Sequence, residues 1–222
     1  MYNPDKQPRN SPSEFIPLAE DTGLILPIGK WIMKTACHAA QKWNQQYHHP
    51  LRIAVNLSSC QFQRADILQL VKESTELSGL DPKLLTLEIT ESLLLSNNDK
   101  TMNTLNNLRE MGIEIAIDDF GTGYSSLSYL KRFPVTTLKI DRHFINDLPE
   151  DREDAALVEA ILSMSPSLKL KLVAEGVETS RQYQFLKDRN CAMIQGYFLS
   201  RPLPLESFEN YLHNIPTIIL QQ

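Results

Sequence analysis

An α/β fold of repeated parallel strand–helix units, closed as a βα barrel, is what this sequence predicts, on three observations. Short β-prone runs alternate with amphipathic helical patterns along most of the chain. Each of those strands ends in a polar or charged residue, and a βα barrel gathers such ends at one mouth. The 222 residues are 42% hydrophobic, enough to fill the core of one ordinary domain.

Taken in order, Met1 to Ser13 is polar and punctuated by proline, and reads as a loop. Ser13 to Glu20 reads as a short helix that Gly23 ends. Leu26 to Tyr47 carries Ile28, Trp31, Ile32, Ala36 and Ala39 at helical spacing, the pattern of a long amphipathic helix. His38, His48 and His49 are not spaced as a ligand set and read as solvated or packing residues. The strands follow at Ile53 to Leu57, Leu85 to Ile89, Ile113 to Ile117, Thr137 to Ile140, Leu170 to Ala174 and Ala192 to Gln195. Between and after them lie helices at about Ala65 to Ser78, Asp99 to Met111, Ser125 to Arg132, Asp154 to Ser165, Ser180 to Asp188 and Leu205 to His213. The domain thus spans residues 14–213. Residues 214–222 form a tail whose Ile218-Ile219-Leu220 has no assigned element.

Composition excludes several function classes. A net charge of −5 argues against DNA held on a broad basic surface, while leaving room for a small anionic ligand bound through metal ions. Cys37, Cys60 and Cys191 have no metal-type spacing and are odd in number, the usage of free thiols in a reducing cytosol. A cytoplasmic location is therefore expected. No apolar run approaches the roughly 20 residues of a membrane span, and no signal peptide is evident.

The chain is organised around Ile117 to Leu127. There a β-prone run delivers Asp118 and Asp119, then a Gly121-Thr122-Gly123 turn, then Tyr124-Ser125-Ser126. Read by itself, Asp118-Asp119-Phe120-Gly121 is an Asp cap before a tight turn. Two adjacent carboxylates at a strand end also repel unless a cation lies between them. The other strands decide between these readings. The first ends in Asn56, the second in Glu88, the fourth in Lys139 (with Asp141 just beyond), the fifth in Glu175 and the sixth in Gln195. Singly, Asn56 and Glu91 have a capping role open to them, Lys139 a pairing with Asp118, and Gln195 a bond to a loop carbonyl. Jointly they make an acidic cup. Hard oxygen ligands without histidine or thiolate suit magnesium, manganese or calcium. A pair of such ions activates a water and stabilises the leaving oxygen of a phosphoester, and Lys139 can hold that water or a phosphate oxygen. Metal-assisted phosphodiester hydrolysis is the chemistry implied.

Seven ordered segments carry a resemblance over about Ser11 to His213. They are Phe15-Ile-Pro-Leu-Ala-Glu20, Val55-Asn-Leu-Ser58, Glu88-Ile-Thr-Glu91, Asp118-Asp-Phe-Gly-Thr-Gly-Tyr-Ser-Ser126, Leu138-Lys-Ile-Asp141, Ala174-Glu-Gly-Val-Glu178 and Gln195-Gly-Tyr197. Together they closely resemble EAL domains, bacterial phosphodiesterases that hydrolyse cyclic di-GMP to linear pGpG. The resemblance implies a TIM-type (β/α)8 barrel with a two-metal site for Mg2+ or Mn2+. It implies that Asn56, Glu88 and Asp118 ligate one ion, and that Asp118 bridges to a second held partly by Asp119. Lys139 and Glu175 would position or deprotonate the attacking water. Glu178 and Gln195 would support metal and substrate, and Glu91 would anchor the loop from Phe120 to Ser126. That loop holds Gly121, Thr122, Gly123, Tyr124 and Ser125, and in the family it lies near a homodimer contact. The family often carries an upstream sensory or GGDEF domain and acts in motility and biofilm control.

One departure accompanies these matches. The Glu-Ala-Leu strand that names the family precedes the segment resembling Tyr2 to Glu20, and its Glu (a metal ligand) and following Arg (a phosphate contact) are not in this sequence. Glu14 and Glu20 lie in the wrong motif to substitute. Six of the family's eight strands are found, so the barrel is expected to be incomplete, with edges at Ile53 to Leu57 and Ala192 to Gln195. Slow hydrolysis is then expected of the chain as written. Beside the enzyme stand two other readings, a catalytically impaired module that binds cyclic di-GMP or a protein partner, and an inert remnant.

Overall fold

The leucine, isoleucine and valine runs do form strands. A computed structural model describes residues 11–47, 50–95, 99–121, 130 and 132–214. It contains one six-stranded parallel sheet in sequential order, β1 (Ile53–Leu57), β2 (Leu85–Thr90), β3 (Glu114–Phe120), β4 (Thr137–Ile140), β5 (Lys171–Glu175) and β6 (Met193–Gln195). The sheet curls into a half-barrel whose edges, among the described residues, are β1 and β6. A period of two separates its faces. Val55, Leu57, Leu85, Leu87, Ile115, Ile117, Leu138 and Leu172 point outward and are buried against the helices. The concave face is built instead from small and polar residues, including Ala54, Thr86, Ala116 and Thr137, and it bounds a cavity of about 650 Å³. Burial of apolar groups on one face thus leaves the other open for chemistry.

The helices are α1 (Pro12–Asp21), α2 (Ile25–Gln46), α3 (Ser59–Arg64), α4 (Ile67–Ser78), α5 (Glu91–Leu95), α6 (Asp99–Glu110), α7 (Arg152–Leu168), α8 (Ser180–Asp188) and α9 (Leu205–His213). Their ends follow capping chemistry. Ser11 and Glu14 form a capping box that starts α1 within the stretch expected to be loop. Asp66 accepts from Gln69 N at the start of α4, and Gly79 in the left-handed region ends it. Asp151 accepts from the amides of Glu153 and Asp154, which extends α7 beyond the expected Asp154 to Ser165. The six-residue α3 is an element the hydrophobic period does not announce. It is held by a Ser58–Gln61 capping box, and Gly29 of α2 makes room for it, since a Cβ there would lie 1.8 Å from Gln61 Nε2. The expected helix Ser125 to Arg132 lies almost wholly outside the described residues, as do most of the expected N-terminal loop and C-terminal tail, and His48 and His49.

α2 buries Ile25, Gly29, Met33, Cys37 and Ala40 along one stripe against β1 and α4. α9 returns to the same helix. Lys42 Nζ and Trp43 Nε1 of α2 donate to Glu209 Oε1 at 2.7 and 3.2 Å, and the Trp43 and Phe208 ring centroids are 4.9 Å apart. At the N-terminal end of the sheet, Glu114 Oε1 receives Arg52 Nη1 and Lys171 Nζ, each at 2.8 Å. Arg52 and Glu114 of this cluster line the cavity at the end away from the strand tips. Among the described residues, no helix is long and apolar enough to cross a membrane.

All three cysteines are free thiols, and burial pushes the fully enclosed Cys37 up to about 11. Cys37 is therefore protonated at pH 8 and shielded. It should react with a disulfide reagent such as DTNB only in denaturant, whereas Cys60 is half-buried and should react sooner. Mapping the labelled peptides checks this, and fast native-state labelling of Cys37 would contradict it.

Candidate active site

Sheet register brings the strand-end residues together. Asn56 on β1 lies opposite Glu88 on β2, Thr90 opposite Asp118 on β3, and Glu175 on β5 opposite Gln195 on β6. Lys139 on β4 stands at their centre. It is 3% exposed, and its ammonium forms ion pairs with Glu88 Oε2 at 2.8 Å, Asp118 Oδ1 at 3.0 Å and Glu175 Oε1 at 2.7 Å. Burial alone would push this lysine down, but Glu88, Glu175 and Asp118 around it push it up instead. One buried cation thus holds three carboxylates within a few ångströms of each other.

The adjacent aspartates are placed by a feature that the sequence does not announce. β3 was expected to stop at Ile117, but it runs on to Phe120. Its register against β4 shifts there, since Ile117 pairs with Leu138 but Phe120 with Ile140. That extra residue is a bulge, and Asp119 occupies it with φ 54°. Aspartate tolerates this left-handed backbone better than most residues. In a regular strand Asp118 and Asp119 would point to opposite faces. With the bulge, Asp118, Asp119 and Glu175 each bring a carboxylate oxygen within 4.8 Å of the others. Burial, then Asp118, then a hydrogen bond with Asp141 all raise the Asp119 carboxyl above the usual carboxylate range. Glu175 is also raised, first by burial, although Lys139 opposes it. Carboxyls raised in this way prefer either a proton or a cation between them. Three hard oxygens without nitrogen or sulfur fit Mg2+ or Mn2+.

Above the cup lies a second cavity of about 740 Å³, lined by Asp119, Glu175, Glu178 and Gln195 among others. Gln195 is fixed by a close backbone crossing. Val177 N donates to Gln195 O at 3.1 Å, and a Cβ on Gly196 would lie 2.1 Å from Val177 O. Gly121 has φ 101° and faces the Phe144 ring, which a Cβ there would meet at 2.7 Å. Glu91 opens α5 with both carboxylate oxygens buried, and it has no hydrogen-bond partner among the described residues. Thr122, Gly123, Tyr124 and Ser125 lie outside the described residues, so the loop expected beside Glu91 is described only at Phe120 and Gly121.

Arg142, Asn146 and Tyr197 also line this upper cavity. Sequence reasoning named none of the three as a site residue, because none of them ends a strand, although Tyr197 lay within a segment that carries the family resemblance. Arg142 opens a 3-10 turn capped by Asp141, and an Asp cap directly after a strand was the available signal.

Comparison with known proteins fits this geometry. The EAL domain family model matches residues 1–202. The bifunctional diguanylate cyclase/cyclic di-GMP phosphodiesterase MucR of Pseudomonas aeruginosa is 48% identical over 88% of this chain, which spans only 29% of that relative's length. A solved structure of PaMucR phosphodiesterase in complex with c-di-GMP superposes with TM-score 0.85 at 47% identity, covering 89% of this chain and 80% of that one. The manganese/cy-diGMP complex of Klebsiella pneumoniae BlrP1 gives TM-score 0.72 at 29% identity, over 80% of this chain and 45% of that one. Those neighbours have the TIM-barrel fold to which this curled parallel sheet corresponds. Sheet, acidic cup and motif order agree with a family match over nearly the whole chain, and the chain belongs to the EAL domain family.

Proposed function

We propose that this chain is a metal-dependent phosphodiesterase that hydrolyses cyclic di-GMP to linear pGpG. The observation that carries the reading is the cup itself, in which Glu88, Asp118 and Glu175 converge on Lys139 at the mouth of an EAL sheet. The complexes formed by the related MucR and BlrP1 supply the ligand. Asn56, Glu88 and Asp118 would hold one Mg2+ or Mn2+, and Asp119, with Asp118 as bridge, a second. When bound, the two ions supply a deprotonated water and charge stabilisation of the leaving oxygen.

The chain's own groups do the rest. Glu175 accepts the proton of the attacking water, and burial, by raising its carboxyl above the usual range, makes it a stronger base than an ordinary glutamate. Lys139 steers the water or a phosphate oxygen through an N–H donor. Glu178 and Gln195 face the upper cavity and orient the substrate there. As the family resemblance implies, Glu91 would anchor the segment that follows Phe120, and a second copy would pair nearby. An upstream sensory or GGDEF domain belongs to the same reading, since this chain spans under a third of the length of those curated relatives, and so does a cytoplasmic setting.

Incubation with cyclic di-GMP and Mn2+, followed by chromatography, tests the reading. Linear pGpG is expected with manganese and none with EDTA. Binding without turnover would turn the reading to a nucleotide-binding module. The absence of both binding and turnover would overturn it.

A further inference from the structure

We infer that Lys139 is the resident counter-cation of the metal-free cup, and that loading a divalent ion displaces it and so frees it to act. The inference rests on the metal-site reading above and concerns how that site is regulated. An ammonium has three N–H donors. Here the ammonium is ion-paired with three carboxylates, Glu88, Asp118 and Glu175, at 2.7 to 3.0 Å, and hydrogen-bonded with Glu175 and Glu88. To turn toward a water or a phosphate oxygen, the lysine must give up part of that grip.

The same carboxylates identify what releases it. Asp118 and Glu175 belong both to the lysine's partners and to the carboxylate cluster that fits a cation. A divalent ion and the ammonium therefore compete for shared oxygens, and two cations cannot sit together there without strong repulsion. Asp119 completes the cluster and is hydrogen-bonded with Asp141. Lys139 is 3% exposed and sits on β4 between β3 and β5, so displacement turns its head within the cup and does not expel it. Metal loading and arming of the lysine become one event. Without metal, the lysine keeps three acidic groups from repelling each other.

The test needs no nucleotide. Free Mn2+ is followed by electron paramagnetic resonance during titration of the wild-type chain and of Lys139→Met. The variant is expected to bind Mn2+ at least about tenfold more tightly, because the competing charge is gone. Equal or weaker binding by a variant with native circular dichroism would overturn the inference. If Lys139→Met does not fold, the native chain with 15N-labelled lysine decides. Lys139 should give a protected ammonium signal, absent in Lys139→Arg, that shifts and exchanges faster as Mg2+ is added. An unchanged signal at Mg2+ saturation overturns the inference. A wild-type chain that binds neither ion sinks the metal-site reading itself, whereas one that binds both while Lys139 stays put sinks only this inference.

Discussion

Asp118→Ala is expected to abolish both metal binding and hydrolysis while leaving the fold intact. Asp118 is the one residue common to the lysine's three partners, the carboxylate cluster and the proposed bridge between two ions. Its loss removes a shared ligand from both positions, where one metal contributes several kcal/mol to the transition state. Since each ~1.4 kcal/mol is tenfold, hydrolysis should fall by about a thousandfold or more. The fold should survive because Lys139 retains Glu88 and Glu175, and no apolar core residue changes. Chromatography of product and a Mn2+ titration check the two losses, and circular dichroism checks the third point. Turnover within tenfold of wild type would remove Asp118 from the centre of the mechanism.

The strands were legible because a parallel sheet packed by helices on its outer face must write that face in leucine and isoleucine. Leu85-Thr-Leu-Glu-Ile and Thr137-Leu-Lys-Ile keep that alternation, with Glu88 and Lys139 at its inner positions. The convergence of Glu88, Asp118, Lys139 and Glu175 followed from strand ends alone. Other features depend on relations that no local pattern carries. The bulge at Asp119 is a mismatch between β3 and β4, visible only once the two are paired. The ionic cluster of Arg52, Glu114 and Lys171 joins residues far apart in sequence. Even the lysine's grip on three carboxylates was anticipated only as one pairing, with Asp118. By contrast α3 was recoverable, because Ser58 and Gln61 have capping-box spacing just after a strand.

Glu175→Gln separates proton transfer from metal holding. Glutamine keeps the shape and one oxygen but cannot take a proton from water. A positioned general base contributes about 10²–10⁴-fold, so kcat measured at saturating Mn2+ should fall by that amount. The pH profile provides a second readout. Burial raises the Glu175 carboxyl, with Lys139 opposing, so in the metal-free protein it loses its proton above the usual carboxylate range. A base must be unprotonated to work, so wild-type activity should rise with pH through the folded value of Glu175 and fall as pH drops below it. Bound metal, being positive, moves that limb lower, so the profile is read at saturating Mn2+, where metal binding adds no limb of its own. In Glu175→Gln the limb should disappear while slow residual turnover persists. A variant that keeps the wild-type acid limb, with kcat reduced only in proportion to weaker Mn2+ binding, would assign Glu175 to holding the ion and leave the water's proton to another group in the cup.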